Sequence, residues 1–519
     1  MTEQRSFDPP PVSTPPPRCR LLDVSRELGA DVRGPSGWQE LAITGVHHDS
    51  REVAPGDLFV AREGGRVSGA MFVDQALARG AVAVVTRRGG VARELPVPVL
   101  EVDDVPLALA VASAAVYGHP TFGVEVIGIT GTNGKTTSTL LVRAMLAAAG
   151  ARCGVIGTLG AELDGVHQPS PHTSPEADEL ARIARGMRDR GATHIAMEVS
   201  SIALVAKRAD AVRFRVAAFS NLTQDHLDYH GSMEAYAEAK ARLFTELVPS
   251  SAAINVKDPF GRELARRLGA DPQLVRFSSA ADVGDPDVFP EALAMDGRGI
   301  RVSVATPSGA VKIASPLVGA HNVENLLCAV AIGCCLGLAP EVIGRGLSSD
   351  VRVPGRLERC DDPARDDVTV LVDYAHTPDA LERVLTSVRP FTSGRVTCVF
   401  GCGGDRDAKK RPLMGRAAGA LADRSIVTND NPRSEDPSAI AAQIVPGLAQ
   451  AGAAFEVVLD RREAIGRAVR EASPGDVVLV AGKGHETYQI IGDTTARFDD
   501  REVAREALEA RRRAARGGA

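Results

Sequence analysis

The sequence predicts an α/β protein organised around a doubly wound parallel sheet, and three observations lead there. A short β-branched run, Val124 to Ile129, reads as a buried strand; glycines 131 and 134 follow it, and a helical run from Thr136 to Ala149 comes next. From 124 to about 355, short apolar strands alternate with helical stretches around that loop, the pattern of parallel strands joined by crossover helices. The same alternation resumes from about 356 to 519.

The loop is the first element to justify. Gly131-Thr132-Asn133-Gly134-Lys135-Thr136-Thr137 lies between strand and helix, where backbone N–H groups and a helix N-terminus face an anion. Lys135 is placed to reach the β- and γ-phosphates of a nucleotide, and the Thr136 hydroxyl to ligate Mg2+. The strict Walker spacing asks for glycine at position 129, where Ile129 stands, so this is a narrower variant. The plainer alternative is a glycine turn with a solvated lysine.

Length and composition bound the rest. A chain of 519 residues accommodates about three domains, and 44% hydrophobic residues describe an ordinary globular protein. A net charge of -6 carries no broad basic field, so nucleic acid is not expected as a partner. The eight cysteines form no Cys-x-x-Cys pair and no zinc spacing, and read as core residues in a reducing cytoplasm. Residues 1–18 are proline-rich without an apolar core, which predicts a disordered tail and not a secretory signal. The longest apolar run, Leu326 to Pro340, is shorter than the roughly 20 residues that cross a bilayer, and predicts a buried helix without membrane insertion.

In order along the chain, residues 19–123 form a first αβ domain, with a turn at Asp49-Ser50-Arg51 and a strand over Leu58–Ala61. In the central domain, 124–355, the strands near Ile195 and Val216 end in polar residues, where ligands bind in such sheets. A helix over Met233–Leu247 carries Lys240 among alanines, and 283–311 lacks a helical pattern, which predicts an antiparallel excursion. The third domain, 356–519, has strands near Val370, Val396 and Val477, each running into a polar loop.

Thr136, Glu198, His226 and Lys240 make the candidate metal set, for one or two Mg2+ ions beside the γ-phosphate. Taken singly, Glu198 also reads as a strand-end charge and His226 as a loop histidine. Lys240 as a cation would repel the metal; converted by CO2 to a carbamate it becomes an anion that bridges metals.

Gly131–Thr137, Met197-Glu-Val-Ser-Ser201, Asn221-Leu-Thr-Gln-Asp-His-Leu-Asp-Tyr-His230 and Lys240 resemble the Mur ligase family. So do Gly319-Ala-His-Asn-Val-Glu-Asn325, Val353-Pro-Gly-Arg-Leu-Glu358, Val372-Asp-Tyr-Ala-His-Thr-Pro-Asp379, Gly401-Cys-Gly-Gly-Asp-Arg-Asp407, Asp430-Asn-Pro-Arg433 and Gly482-Lys-Gly-His-Glu486. The resemblance spans nearly the whole chain after the tail. It implies a three-domain architecture with a central phosphate-loop domain and a Rossmann-like C-terminal domain. It also implies an ATP-dependent, Mg2+-requiring amide ligase of peptidoglycan synthesis, a monomer acting in the cytoplasm.

By the same resemblance His48 and Ser50 contact the uridine nucleotide, and Thr173, Ser174, Ser200 and Arg208 hold the muramoyl-dipeptide portion. Asn325, Arg356 and Asp373 join the loop residues at ATP, with two Mg2+ ions and a carbamylated Lys240. Arg406, Asp430, Asn431, Pro432, Arg433, Gly482 and Glu486 hold the incoming amino acid. The Asp-Asn-Pro-Arg form points to diaminopimelate, for which the resemblance implies the meso isomer, added to UDP-N-acetylmuramoyl-L-alanyl-D-glutamate. Its second carboxylate offers Arg433 a bidentate, charge-assisted partner. The chain departs from the family pattern at Ile202, where histidine is usual, at Ala206, Ser174 and Ser68-Gly69-Ala70. A related ligase joining a different carboxylate and amine stays open, as does a non-catalytic nucleotide-sugar binder on the same fold.

Overall fold

The computed structural model describes residues 19–63, 67–270 and 273–517. The tail expected over 1–18 lies outside the described residues. The chain divides into two compact units. One runs to Pro290 and takes in Val304–Val311 and Glu324–Gly346; the other comprises Glu291–Ser303, Lys312–Val323 and Leu347 onward.

Besides a two-stranded pairing of Cys19–Arg20 with Ala42–Ile43, the first unit holds two larger sheets. The smaller has the order Asp31–Arg33, Val99–Val102, Ala83–Arg87, Leu58–Val60, Val46–His47; the last four strands are parallel, and Asp31–Arg33 runs antiparallel at an edge. Helix Val105–Val116 packs an almost entirely apolar surface into this core, and Asp104 caps it by accepting from Leu107 N at 3.0 Å.

The larger sheet has eight strands, six of them parallel: Cys153–Gly157, His194–Glu198, Glu125–Thr130, Phe214–Phe219, Ser251–Asn255 and Leu274–Phe277. Gly160–Leu163 and Val166–Gln168 add an antiparallel edge. The expected phosphate-loop strand is Glu125–Thr130, and it lies between His194–Glu198 and Phe214–Phe219. From it the chain builds outward on one side, then returns to build on the other, so the reversal of strand order falls at the loop. Register places Glu198 beside Ile129 and Phe219 beside Thr130, gathering three strand ends at one point. Gly128 is required there, because a Cβ would come within 2.6 Å of the Phe214 ring.

The apolar run becomes helix His321–Cys335, whose residues Leu326 to Ile332 are buried. The segment expected as an excursion forms a three-stranded sheet of Phe289–Asp296, Gly299–Ala305 and Val311–Ser315. Among the described residues no helix is long and apolar enough to cross a membrane.

The second unit carries a six-stranded sheet in the order Glu358–Arg359, Thr369–Asp373, Val477–Ala481, Val396–Phe400, Arg424–Val427, Phe455–Val457; all are parallel but the first. The all-buried strands Val396–Phe400 and Val477–Ala481 send alternate side chains into two apolar clusters, as central strands covered on both faces must. Arg461 is fully enclosed. Its guanidinium meets both oxygens of the equally enclosed Asp500 at 2.7 Å and donates to the carbonyls of Asn429 and Ala481 at 3.1 and 3.0 Å. The pair ties the starts of two helices to the ends of two strands.

Removing the cation leaves Asp500 buried and uncompensated. Arg461→Met is expected to destabilise the second unit by about 3–5 kcal/mol. Arg462→Ala, which breaks only an exposed pair with Glu506, should cost less than about 1 kcal/mol. Urea denaturation of the two variants measures both; equal losses would remove the special role of the enclosed pair.

Candidate active site

The phosphate loop takes its shape from two glycines and one wall. Gly131 (φ 144°) and Gly134 (φ 87°) occupy backbone conformations that L side chains avoid. A Cβ on Gly131 would overlap the Ser220 hydroxyl, and one on Gly134 the Asn325 amide, which places Asn325 against the loop. The wall is the segment after strand Phe214–Phe219. Thr132 N donates to Asn221 O at 2.8 Å, Asn133 N to Asn221 Oδ1 at 2.9 Å, and Ser220 Oγ to Asn133 O at 2.7 Å. Lys135 opens helix Lys135–Ala148 and folds back to donate to the carbonyls of Gly131 (3.0 Å) and Thr132 (2.9 Å). Thr137 is buried one residue after Thr136 in the same first helical turn.

Thr136 and Glu198 meet. The Thr136 hydroxyl donates to Glu198 Oε1 at 2.9 Å; Thr158 donates its N–H to the same oxygen at 2.8 Å and its hydroxyl to Oε2 at 3.1 Å. The carboxylate is buried at the end of its strand, and Gly157 is glycine because a Cβ there would overlap it. Lys240 is buried as well. Its Nζ donates to Gly131 O at 2.9 Å and lies 4.3 Å from the centroid of the Tyr236 ring. Burial first, and then the nearby charge of Lys135, push its pKa well below the usual lysine range. His226 sits apart from this cluster. It precedes a short helical turn at φ 51°, is half-exposed, lies 3.6 Å from Asp225, and meets the Tyr236 ring edge-on at 6.4 Å. Among the described residues no three His, Cys, Asp or Glu side chains gather as a metal cage. Buried hydroxyl and carboxylate oxygens at the loop nevertheless suit Mg2+, which takes few protein ligands and completes its shell with water and phosphate.

Four of the residues expected at the nucleotide-peptide, Thr173, Ser174, Ser200 and Arg208, are joined in one hydrogen-bonded chain through Thr158 and Glu198. Thr173 and Thr158 hydroxyls are 3.2 Å apart; Ser174 Oγ donates to Glu198 O at 2.9 Å and receives Ser200 N at 3.0 Å. Ser200 caps helix Ser201–Val205 through Ala203 N. Arg208 donates to Ser174 O at 3.1 Å and to Glu176 at 2.6 Å, and Glu176 also takes Arg62 at 2.7 Å. His48 makes a separate pair: its backbone N and ring Nδ1 both meet Asp178 Oδ2, at 3.0 and 2.8 Å. Ser50 instead donates to Gln75 Oε1 at 2.7 Å. Of the departures from the family pattern, Ile202 and Ala206 are part-exposed in and just after that short helix. Sequence reasoning passed over Glu176 and Asp178. In the structure they hold Arg62, Arg208 and His48.

In the second unit, Asp373 is buried and accepts Leu357 N at 2.7 Å and Ala375 N at 2.8 Å; burial raises its pKa while the Arg356 charge opposes the rise. Arg356 stacks over Tyr374 at 5.0 Å. The acceptor residues also assemble. Asp430 Oδ1 accepts Asn431 N at 2.7 Å, and Gly482 (φ 117°) brings its backbone against the other oxygen, leaving 2.6 Å for a Cβ. Asn431 Nδ2 donates to Glu486 Oε2 at 2.9 Å. Pro432 is buried, and its carbonyl leaves no room for a side chain at Gly404. Arg433, at φ 53°, donates its backbone N–H to Ile490 O and its guanidinium to Gly404 O at 2.8 Å. Arg406 is exposed on the facing loop, 3.4 Å from Asp405 O. Sequence reasoning missed the buried Lys483, 3.1 Å from Glu486 and 3.2 Å from Asn431, and the buried Arg411, which grips Glu435 and the Gly403 carbonyl.

Three family models match this chain: the Mur ligase family catalytic domain over 42–117, the Mur ligase middle domain over 129–333, and the Mur ligase glutamate ligase domain over 355–484. The chain belongs to the Mur ligase family. A curated relative from Geobacter metallireducens, a UDP-N-acetylmuramoyl-L-alanyl-D-glutamate–2,6-diaminopimelate ligase, is 47% identical over 505 residues, covering 93% of this Mur ligase and 97% of the relative. One of the same name from Gloeobacter violaceus is 45% identical over 497 residues, covering 96% and 99%. A solved structure of a ligase of that name is 34% identical with a TM-score of 0.68, covering 92% and 97%. MurF from Acinetobacter baumannii, 20% identical with a TM-score of 0.63 over 96% of this chain and 99% of its own, shares the fold.

Burial disfavours protonation of His48, but the hydrogen bond and charge of Asp178 outweigh it and raise the ring's pKa above 6.5, while the Asp178 pKa is lowered. A raised folded-state pKa gives stability that is fully present below the unfolded value and fades as pH rises through the folded one. The melting-temperature advantage of wild type over His48→Gln is therefore expected to be larger at pH 6 than at pH 9. An advantage that does not change with pH would show that the pair is not ionic.

Proposed function

We propose that this Mur ligase joins diaminopimelate, as the meso isomer, to the D-glutamyl carboxylate of UDP-N-acetylmuramoyl-L-alanyl-D-glutamate, using ATP, in peptidoglycan synthesis. The observation that carries the reading is the acceptor constellation: Asp430, Asn431, Arg433 and Glu486 converge on one patch beside the exposed Arg406. Its mixed charges suit an amino acid bearing two ammonium groups and two carboxylates. The names of the curated relatives support the same acceptor. We read residues 19–123 as the uridine-nucleotide domain, 124–355 as the ATPase domain and 356–519 as the amino-acid domain of a cytoplasmic monomer.

The chemistry begins with the substrate carboxylate, which Arg208, Ser174 and Ser200 orient near the phosphate loop. It attacks the γ-phosphorus of ATP to give an acyl phosphate and ADP. Lys135 leaves its loop carbonyls for the phosphoryl oxygens and neutralises charge developing there. Thr136, Glu198 and Lys240 would hold Mg2+ beside the loop, with His226 joining them for two ions only after a shift of its segment; bound Mg2+ would offset phosphate charge. The depressed pKa of Lys240 supports carbamylation: the neutral amine adds to CO2, forms an N–C bond and loses a proton, leaving an anion. The free amine of diaminopimelate then attacks the acyl carbon, phosphate departs, and the amide remains. Asn325, Arg356 and Asp373 serve the nucleotide.

Two measurements test this. Lys240→Ala should lose most of the ADP-forming activity, with partial return on adding short carboxylates, and the intact protein should carry an extra 13C-labelled carbamate carbon after incubation with 13CO2; an unmodified lysine would refute that role. Arg433→Ala should reduce kcat/KM for diaminopimelate by roughly two orders of magnitude or more, because a charge-paired contact is lost, while KM for ATP holds. Wild type should use L-lysine poorly. Equal rates with L-lysine and diaminopimelate would overturn the acceptor assignment.

A further inference from the structure

Lys483 stands between the two glycines of Gly482-Lys483-Gly484, directly after strand Val477–Ala481. Both glycines have positive φ, 117° and 54°. Gly482 presses on Asp430, and Gly484 leaves only 2.6–2.8 Å for a Cβ against Tyr374. With both neighbours pinned, the lysine side chain is turned inward and is fully buried. A buried ammonium must find acceptors. Its Nζ lies 3.1 Å from Glu486 Oε2 and 3.2 Å from Asn431 Oδ1, with the Tyr488 ring 5.3 Å away.

The lysine sets more than its own neutrality. Asn431 Oδ1 also accepts Ile490 N at 3.1 Å, so two donors face that oxygen, and the amide is obliged to aim Nδ2 at Glu486. Glu486 Oε2 then accepts from both Asn431 and Lys483. The carboxylate is therefore gripped through Oε2, and Oε1 lies outside both of these contacts.

We propose that Lys483 is the positioning residue of the acceptor site. It locks Asn431 and Glu486 in one arrangement, so that Oε1 meets a single ammonium group of the incoming diamino acid. This rests on the acceptor reading above. Lys483 does not touch the reacting atoms, so its loss weakens acceptor capture and leaves the phosphoryl chemistry intact.

The test is a double-mutant cycle on initial rates, varying diaminopimelate at saturating ATP and nucleotide-peptide. Lys483→Met should raise KM for diaminopimelate roughly 10- to 100-fold, the range for losing a hydrogen bond to a charged group, with kcat changed by less than about threefold. KM for ATP should not move. In a Glu486→Gln background the same substitution should add no more than about twofold, because its effect passes through that carboxylate. A lysine that merely supports the fold would impose the same loss in both backgrounds, and that result, or an unchanged KM in Lys483→Met, overturns the proposal. Where Lys483→Met yields little folded protein, Lys483→Gln replaces it in the cycle, and the double variant carries no uncompensated charge. Failure of wild type to use diaminopimelate would instead reject the proposed acceptor, and this role for Lys483 with it.

Discussion

The first unit depends on one buried carboxylate. Glu198 ends a central strand and accepts three hydrogen bonds, one from Thr136 in the phosphate-loop helix and two from Thr158 beyond the neighbouring strand. Thr158 reaches Thr173, and the Glu198 carbonyl takes Ser174, so the chain of contacts runs from phosphate loop to Arg208 without a gap. A buried carboxylate is tolerated only when such donors replace water. Here one donor, Thr136, belongs to the phosphate-loop helix and the other, Thr158, leads on to Thr173, so satisfying the charge also ties these segments together.

The second unit reaches the same end with buried cations. Arg461, Arg411 and Lys483 are all enclosed, and each anchors a loop: Arg461 the strand ends at Asn429 and Ala481, Arg411 the Gly403–Glu435 turn, Lys483 the Asn431–Glu486 pair. Arginine and lysine donate several hydrogen bonds each and so bind carbonyls and carboxylates from separate segments at once. The polar loops past the strands of this sheet are therefore held by interior charge as well as by backbone pairing.

The sheets and the loop were legible because they rest on local rules. A β-branched run, two glycines and a helical run have one common reading, and the structure places strand, loop and helix within a residue or two of it. The structure brings Ser174, Ser200 and Arg208 into one cluster, and Asp430, Asn431 and Glu486 into another. Glu176, Asp178, Lys483 and Arg461 were not legible, because their roles are defined by partners up to 130 residues away and not by spacing. A charged residue looks solvated in a sequence; only packing reveals that it is enclosed. His226 is the reverse case, a motif residue that the structure leaves half-exposed beside Asp225 and Tyr236.

The phosphate loop also contains a built-in electrostatic conflict. The Gly131 carbonyl accepts both Lys135 Nζ, at 3.0 Å, and Lys240 Nζ, at 2.9 Å. Two ammonium groups on one carbonyl repel each other, and only Lys240 is deeply buried, so the cost falls on its charge. Lys135 belongs to a helix start where anions bind, and can move its charge onto phosphate. Lys240, fixed in the middle of helix Met233–Thr245 against Tyr236, cannot follow. Losing the proton relieves the repulsion, and under the proposed mechanism the carbamate then turns it into attraction. The same closeness that depresses the pKa of Lys240 would thus place an anion where a phosphate-bound metal and a lysine can both use it.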